Sequence, residues 1–340
     1  MGNQAPTVTG EHEKRHCDRL GRLPLRSALA LALAAAAVAT VGGEARASNI
    51  VFVCGKDLCA ASPGGSHRVR LTRDGKARGG YTRPALSRAG RRLAFKLGDP
   101  GRVWTSRVAR RRGRIVALRA PTRIPPFRDG PRDATQFDVA IAPGGGRVAW
   151  VEIRANVVFG GFDFRRYSAR PDGSGARQEA SNGGRPFVAW FDNGSIIREG
   201  LGPGFDGVVD QGLCVPAPRS ESNGTCIEGS RQLAFDPGGR HLRHPSVSPS
   251  GRLLVATAYA HGQPDIDTAI ERPGAIALFD ARRGLPVRDL TAGPVDTYPS
   301  FAPSGKAVAF ERRGAVWTIG TDGGRPRRVL RRARQPTWSR

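Results

Sequence analysis

Residues that could bind a metal ion are few in this sequence and mostly far apart. After residue 47, only two of the histidines, His241 and His244, lie close together, and two imidazoles do not complete a zinc site. Asp265, Asp267 and Glu271 could give carboxylate oxygens to Ca²⁺, although a charged loop of this length is more often simply solvated. We therefore predict no metal site and no cofactor.

Motifs for nucleophilic catalysis or nucleotide binding are equally scarce. No serine has glycine at both second neighbours, so the nucleophile elbow of an α/β-hydrolase is missing, and no P-loop occurs. The hexapeptide GPGFDG at 202–207 matches the letters of a dinucleotide-binding fingerprint. Pro203 and the lack of a following helical pattern favour a loop there instead. These observations predict a protein that is not an enzyme.

The first 47 residues have the pattern of an export signal. Five basic residues precede an uncharged, Ala/Leu-rich run at 27–41, and Ala45 and Ala47 place small residues where a signal peptidase cuts. As a helix, that run would span only ~22 Å, less than the ~30 Å core of a membrane. We predict cleavage after Ala47, with an uncleaved anchor as the alternative. The remaining chain would be exported, periplasmic, cell-wall associated or secreted, without a transmembrane span.

Four cysteines follow the predicted signal, and an even number in an oxidising compartment indicates disulfides. Cys54 and Cys59 flank a glycine-containing turn between apolar runs, so they can face each other across a hairpin. Cys214 and Cys226 flank a stretch rich in Pro, Ser and Asn. Metal ligation is the alternative, but these spacings are not those of usual zinc sites. We predict the disulfides Cys54–Cys59 and Cys214–Cys226.

The chain is strongly basic, with 54 Lys and Arg against 29 Asp and Glu and a net charge of +25. This charge would suit an acidic partner or an anionic envelope polymer. Arginine makes up most of the basic residues in a chain rich in Ala, Gly and Pro, so a GC-rich coding sequence is a competing explanation. The densest basic clusters, 110–114 and 325–334, hold few aromatic residues for base stacking. We predict no nucleic-acid partner and expect an envelope or secreted protein instead.

An internal repeat determines the predicted architecture. Each repeat has a short apolar strand, a glycine turn and a second apolar strand. Four thirteen-residue segments align without gaps: RPALSRAGRRLAF from Arg83, DVAIAPGGGRVAW from Asp138, HPSVSPSGRLLVA from His244 and YPSFAPSGKAVAF from Tyr298. A fifth segment starts at Phe187 and keeps the glycine, and a sixth, QPTWSR, starts at Gln335 and ends the sequence.

Further strands follow each repeat, as the shared Val-Trp-Thr of GRVWTS at 101–106 and GAVWTI at 314–319 indicates. Four strands per unit is the pattern of a propeller blade. The sixth unit lacks its second strand, and residues 49–52, just after the predicted signal, have the pattern of such a strand. We therefore predict an all-β, six-bladed β-propeller with four-stranded antiparallel blades, closed by strands from both termini. Residues 48–340 would form this single domain, which we expect to be a monomer.

The repeat resembles the blade signature of the TolB-type (WD-repeat-like) β-propellers, Pro-Ser-x-Ser-Pro-x-Gly followed by a branched apolar residue and Ala-Phe. Residues 245–251 match it nearly letter for letter, and 299–305 have Ala302 in place of the second Ser. The resemblance implies the fold for all of 48–340, whereas propellers of this type serve alone, in envelope complexes or as gating halves of peptidases. It favours a non-catalytic module that binds a protein or envelope ligand. The alternative is a lactonase-like hydrolase with a metal site in the central channel.

A propeller enzyme would need acids and histidines that converge at the strand starts around the channel. The residues expected there are mixed in type and include one carboxylate, which favours binding: Arg83, Asp138, Phe187, His244, Tyr298 and Gln335. The longest predicted connections, 120–137, 200–212 and 260–274, emerge on the same face, and long loops on a rigid scaffold are common binding sites. We expect this channel mouth to capture an acidic or extended segment of a partner, with Arg as the carboxylate fork and Tyr as a stacking surface.

Overall fold

A computed structural model of the chain describes residues 48–98, 101–127, 135–156, 161–180, 187–199, 212–216, 230–234, 236–237, 240–259, 274–293 and 295–339. All of them belong to the unit Arg46–Arg340. The predicted export signal and most of the two long connections at 200–212 and 260–274 lie outside the described residues. No helix among the residues described is long and apolar enough to cross a membrane.

Within these ranges, the strands form six antiparallel sheets of four strands each, named first to sixth by position in the chain. The first holds β24 (Arg334–Ser339), β1 (Asn49–Cys54), β2 (Asp57–Ala61) and β3 (Val69–Arg70). The second holds β4 (Tyr81–Leu86), β5 (Arg92–Leu97), β6 (Arg102–Arg111) and β7 (Arg114–Arg123). The third holds β8 (Thr135–Ile141), β9 (Val148–Asn156), β10 (Gly161–Ala169) and β11 (Arg177–Ala180).

The remaining three sheets repeat this order of strands. The fourth holds β12 (Ala189–Trp190), β13 (Ile196–Glu199), β14 (Leu213–Pro216) and β15 (Ser230–Ala234). The fifth holds β16 (His241–Val247), β17 (Leu253–Tyr259), β18 (Gly274–Asp280) and β19 (Leu285–Asp289). The sixth holds β20 (Asp296–Phe301), β21 (Ala307–Arg312), β22 (Ala315–Gly320) and β23 (Gly323–Leu330). This is the predicted β-propeller architecture of four-stranded antiparallel blades.

The glycine of each well-matched repeat lies where the sequence places the tight turn. Gly90, Gly145, Gly251 and Gly305 all have positive φ, between 62° and 76°. Each donates its backbone N–H to the carbonyl three residues earlier, and so closes the turn between the first two strands of a sheet. A side chain would strain this left-handed conformation, which explains why the repeat keeps glycine there.

The hydrophobic core is divided among the spaces between neighbouring sheets. Every core cluster among the described residues joins two sheets that are adjacent in the chain order or join the sixth to the first. Between the second and third sheets, for example, Val103 and Ile124 pack with Trp150 and Tyr167, all fully buried. Because each sheet is apolar on both faces, no sheet can leave its neighbours without exposing core surface.

Both ends of the described chain meet in the first sheet. β24 pairs antiparallel with β1, with Ser339 opposite Asn49 and Trp338 opposite Ile50. The predicted disulfide Cys54–Cys59 is present across the turn from β1 to β2, with the two Cα atoms 5.9 Å apart.

The second disulfide stays a prediction. Cys214 lies in β14 and is disulfide-bonded. Its expected partner, Cys226, lies outside the described residues.

Two features differ from the simplest form of the repeat. In the fourth sheet, β13 pairs with β12 through Ile196 and Ile197 and with β14 through the next two residues, so no residue of β13 is paired on both sides. Five sheets therefore have continuous ladders and the fourth is divided, so the count of six complete blades stays a prediction. The connection predicted at 120–137 is also shorter, because β7 continues to Arg123 and β8 begins at Thr135.

Candidate functional site

Four of the candidate residues occupy the same strained backbone position in four sheets. Arg83, His244, Tyr298 and Gln335 have φ of 53°, 50°, 53° and 49°, in the left-handed region that residues with side chains seldom adopt. Each precedes a proline, and the ladder between the first two strands of the sheet shifts register next to it. Proline has no N–H to give to the ladder, so the pair forms a bulge, and a bulge re-aims the side chain of its extra residue.

Five of the six candidates line one cavity of about 230 Å³ at the centre of the sheets: Arg83, Asp138, His244, Tyr298 and Gln335. The four prolines that follow the bulged residues line it as well. The repeat therefore brings together side chains that are up to 252 residues apart in the sequence.

Phe187 lies elsewhere. Its side chain is 3% exposed and packs in the core between the fourth and fifth sheets, with Leu242 and Leu254 among its neighbours. Val188 lines the cavity instead, and its N–H donates to Oδ2 of Asp138 at 2.9 Å. The sequence holds no local signal for this difference, because a valine follows both Phe187 and Asp138 and only Asp138 lines the cavity.

Tyr298 is at the centre of the side-chain contacts. The Arg83 guanidinium lies 4.6 Å from the centroid of its ring, and the His244 ring centroid lies 4.1 Å away at an interplanar angle of 34°. A guanidinium over an aromatic face is held by the negative charge of that face. Because these contacts leave Tyr298 only 7% exposed, the ring positions Arg83 and offers little free surface for stacking.

Arg83 and Asp138 form the charged pair of the cavity. Nε of Arg83 lies 3.8 Å from Oδ1 of Asp138, and the two side chains are 15% and 9% exposed. Burial raises the pKa of Asp138, and the Arg83 charge and the N–H of Val188 oppose this shift. The separation is long for a direct hydrogen bond, so the two groups attract each other as charges across the cavity wall.

His244 contributes a neutral imidazole. Burial, together with the positive charges of Arg83 and Arg243, lowers its pKa well below the ordinary value. Its Nδ1 atom is buried and has no hydrogen-bond partner among the described residues. The neutral imidazole therefore packs on Tyr298 with one buried, unpaired nitrogen.

Gln335 is held by hydrogen bonds on both sides. Its Oε1 accepts the N–H of Arg83 at 2.7 Å, and its own N–H donates to Oε2 of Glu311 at 2.9 Å. Glu311, with Phe137 and Lys96, was not singled out from the sequence. Arg83 lies 5.9 Å and Lys96 5.3 Å from the Phe137 ring, so these residues support the cavity wall.

Clusters of three or more His, Cys, Asp or Glu side chains placed to hold a metal ion do not occur within the described ranges. The polar side chains that line the cavity instead carry two guanidinium groups, of Arg83 and Arg88, with one carboxylate, one imidazole, one phenol, one amide, four Ser or Thr hydroxyl groups and two indoles.

Solved structures share this fold at low sequence identity. TolB from Acinetobacter baumannii matches with a TM-score of 0.60 and 14% identity over 86% of this chain and 66% of that one. A putative TolB from Agrobacterium tumefaciens matches with a TM-score of 0.50 and 19% identity over 84% and 88% of the two chains. The tricorn protease matches with a TM-score of 0.53 and 14% identity over 86% of this chain and 35% of its own.

The chain thus spans just under two thirds of the first of these proteins and about a third of the last. No protein-family model matches the sequence, and no curated protein does either. At these identities, a structural likeness establishes the fold alone. The comparisons show that the chain has the β-propeller fold found in TolB proteins.

Proposed function

We propose that this chain is an exported, non-catalytic β-propeller that binds an acidic segment of an envelope or secreted protein at the mouth of its central cavity. The observation that carries the proposal is the preorganised Arg83, which Tyr298 holds on one side and Asp138 on another. A guanidinium fixed before binding loses little conformational entropy when a carboxylate arrives.

The size of the cavity favours a chain segment over a free small molecule. Pockets for drug-sized ligands usually enclose about 300–1,000 Å³, whereas this cavity encloses about 230 Å³. One or two side chains, or a chain end, fill a space of that size. A carboxylate in it would lie beside Arg83 and the neutral ring of His244.

The site is best explained if the six sheets are six blades of one closed ring. The pairing of β24 with β1 and the core cluster between the first and sixth sheets support this closure. Side chains also link first strands of successive sheets: Ser246 Oγ accepts the N–H of Phe301 at 3.2 Å, and Ser300 Oγ accepts that of Trp338 at 2.9 Å. Such a ring keeps the cavity walls at fixed distances and leaves only short, protected sheet edges.

The Cys54–Cys59 disulfide supports export, because disulfides persist in oxidising compartments. The chain recovered from outside the cytoplasm is expected to begin at Ser48 and to carry two disulfides, the second being Cys214–Cys226. Intact mass before and after reduction measures both features. Free thiols in the recovered protein, or a chain that begins at Met1, would contradict this part of the proposal.

Two single variants should change the capture of an acidic partner in opposite directions. Arg83→Gln removes the cation and should reduce the affinity for a poly-glutamate peptide at least tenfold. Asp138→Asn removes the carboxylate that competes for Arg83 and should raise the affinity for the peptide several-fold. The neutral amide still accepts the N–H of Val188, so the local structure should be kept. Lowering the pH protonates both Asp138, whose pKa is raised, and the peptide, so capture by the parent should fall less than capture by Asp138→Asn.

Arg325→Glu, an exposed charge reversal on β23, is the control for a general loss of positive charge. It should change capture less than twofold. Equal losses in Arg83→Gln and Arg325→Glu would mean that overall charge, and not the cavity, binds the peptide. The same variants are then compared for the capture of partners from the native envelope fraction. If the protein releases a hydrolysed ligand in that experiment, the hydrolase alternative is favoured.

A further inference from the structure

A second crevice opens between the second and third sheets, next to the turn from β8 to β9. It encloses about 750 Å³. Three arginines line it: Arg92 and Arg107 from the second sheet and Arg170 from the third. None of the three makes an ion pair with an acidic residue among those described, and none belongs to the central cavity.

The second sheet carries a row of like charges beside this crevice. Arg92 on β5 lies directly opposite Arg107 on β6, and Arg107 lies directly opposite Arg119 on β7. Directly opposed residues of antiparallel strands project from the same face, and like charges there destabilise the pairing. Three arginines in register across three strands therefore cost stability until an anion lies against them.

The only acidic residue among those that line the crevice is Asp172, and its carboxylate already accepts hydrogen bonds within its own turn. Oδ1 of Asp172 accepts the backbone N–H of Ser174 at 2.9 Å and its hydroxyl at 2.7 Å, within the turn from β10 to β11. The Asp172 carboxylate thus holds its own turn, and Arg170 at the start of the same turn remains exposed at the crevice.

Three consecutive glycines, 144–146, keep the crevice open on the side of the third sheet. A Cβ at Gly145 would lie 3.3 Å from Cβ of Ser87 and 3.5 Å from Cδ of Arg92, and one at Gly146 would meet nothing within 4 Å. The Arg92 stem therefore packs against the turn of the neighbouring sheet, which fixes this arginine at the crevice. The corresponding turns of the fifth and sixth sheets have serine before their glycine, at 250 and 304.

We propose that this crevice binds a ligand that carries phosphate groups. One guanidinium fork satisfies one carboxylate, whereas three guanidinium groups that form no ion pair with the described residues, near a single Asp172 that the Arg170 charge already influences, match a group of higher charge. A phosphate monoester carries about −1.5 to −2 at pH 7 and offers three acceptor oxygens. The volume is that of an ordinary small-molecule pocket, so pyrophosphate or a small phosphorylated metabolite fits within it.

The fifth sheet offers a matched control. A crevice of about 560 Å³ there is lined by Arg252, Arg282 and Arg283, also three arginines. Its acidic residue, Asp280, accepts the backbone N–H groups of Arg282 and Arg283 at Oδ1, and its Oδ2 lies 4.0 Å from Nε of Arg283. In this crevice, one of the three guanidinium groups therefore has an ion-pair partner.

The experiment is calorimetric titration of the parent chain and two double variants with pyrophosphate at 150 mM salt. Arg107→Gln/Arg170→Gln changes two exposed arginines of the proposed site, and Arg252→Gln/Arg282→Gln changes two exposed arginines of the control crevice. The first pair should weaken pyrophosphate binding at least tenfold and the second less than twofold. Equal losses in the two variants, or no saturable binding by the parent at millimolar pyrophosphate, would overturn the proposal.

A thermal measurement separates a binding role from a structural one. Without phosphate, Arg107→Gln should melt no lower than the parent, because it relieves the opposed charges. With pyrophosphate, the melting temperature of the parent should rise and that of Arg107→Gln/Arg170→Gln should not. Titration with glucose 1-phosphate and with long-chain polyphosphate distinguishes a small monoester ligand from a polymer. If acetate binds as tightly as pyrophosphate, the phosphate assignment is wrong.

Discussion

Removal of residues 335–340 should destabilise the whole described domain by several kcal/mol and broaden its unfolding transition. The deletion takes away nearly all of β24 and leaves β1 as an unpaired edge at the central cavity. It also removes three side-chain links to neighbouring sheets, each worth about 1 kcal/mol. These are the hydrogen bonds from Arg83 N–H to Gln335 Oε1, from Leu86 N–H to Thr337 Oγ1 and from Trp338 N–H to Ser300 Oγ.

Urea denaturation followed by tryptophan fluorescence and by circular dichroism measures this effect. A chain without Arg340 alone is the control and should unfold as the parent does. If the ring is closed by β24, the two probes should no longer give coincident transitions for the longer deletion. A deletion variant with the midpoint and slope of the parent would mean that β24 does not close the domain.

Much of the fold can be predicted from the sequence because the repeat combines two strong local constraints. Gly251 and Gly305 lie where a tight turn needs positive φ, and Pro245 and Pro299 lie where the ladder must lack an N–H. Each constraint acts within a few residues, so it is visible in a single repeat. The first strands β16 and β20 accordingly begin within three residues of the predicted unit starts.

The contacts at the site were harder to predict because they depend on packing between sheets. Arg83 in the second sheet and Tyr298 in the sixth meet at the cavity, and no local pattern shows that the guanidinium covers the ring. Phe187 shows the same limit, since a valine follows both Phe187 and Asp138, yet Phe187 packs in the core and Asp138 lines the cavity. The arginine row of the second crevice likewise depends on the register of β5, β6 and β7, which includes a bulge after Thr105.

Arg312→Met should lower the free energy of unfolding by about 3–5 kcal/mol, because it leaves a buried carboxylate without its cation. Asp296 is fully buried, and its two oxygens accept hydrogen bonds from Nε and Nη2 of Arg312, both at 2.6 Å. These bonds raise the pKa of Arg312. A Cβ at Gly293 would lie 2.9 Å from Oδ2 of Asp296, so the chain leaves little space beside the pair for water.

Two further variants assign this loss to the unpaired charge. Arg313→Met changes the exposed neighbouring residue and should cost less than about 0.5 kcal/mol. Asp296→Leu/Arg312→Met replaces the whole pair with apolar side chains and should recover most of the stability, since a buried ion pair contributes little net energy over a packed apolar pair. Chemical denaturation of the four proteins measures these differences. The rings of Phe310 and Trp317 both lie 5.3 Å from the Arg312 guanidinium. If the double variant is as unstable as Arg312→Met, the loss of stability comes from lost packing against these rings and not from the unpaired carboxylate.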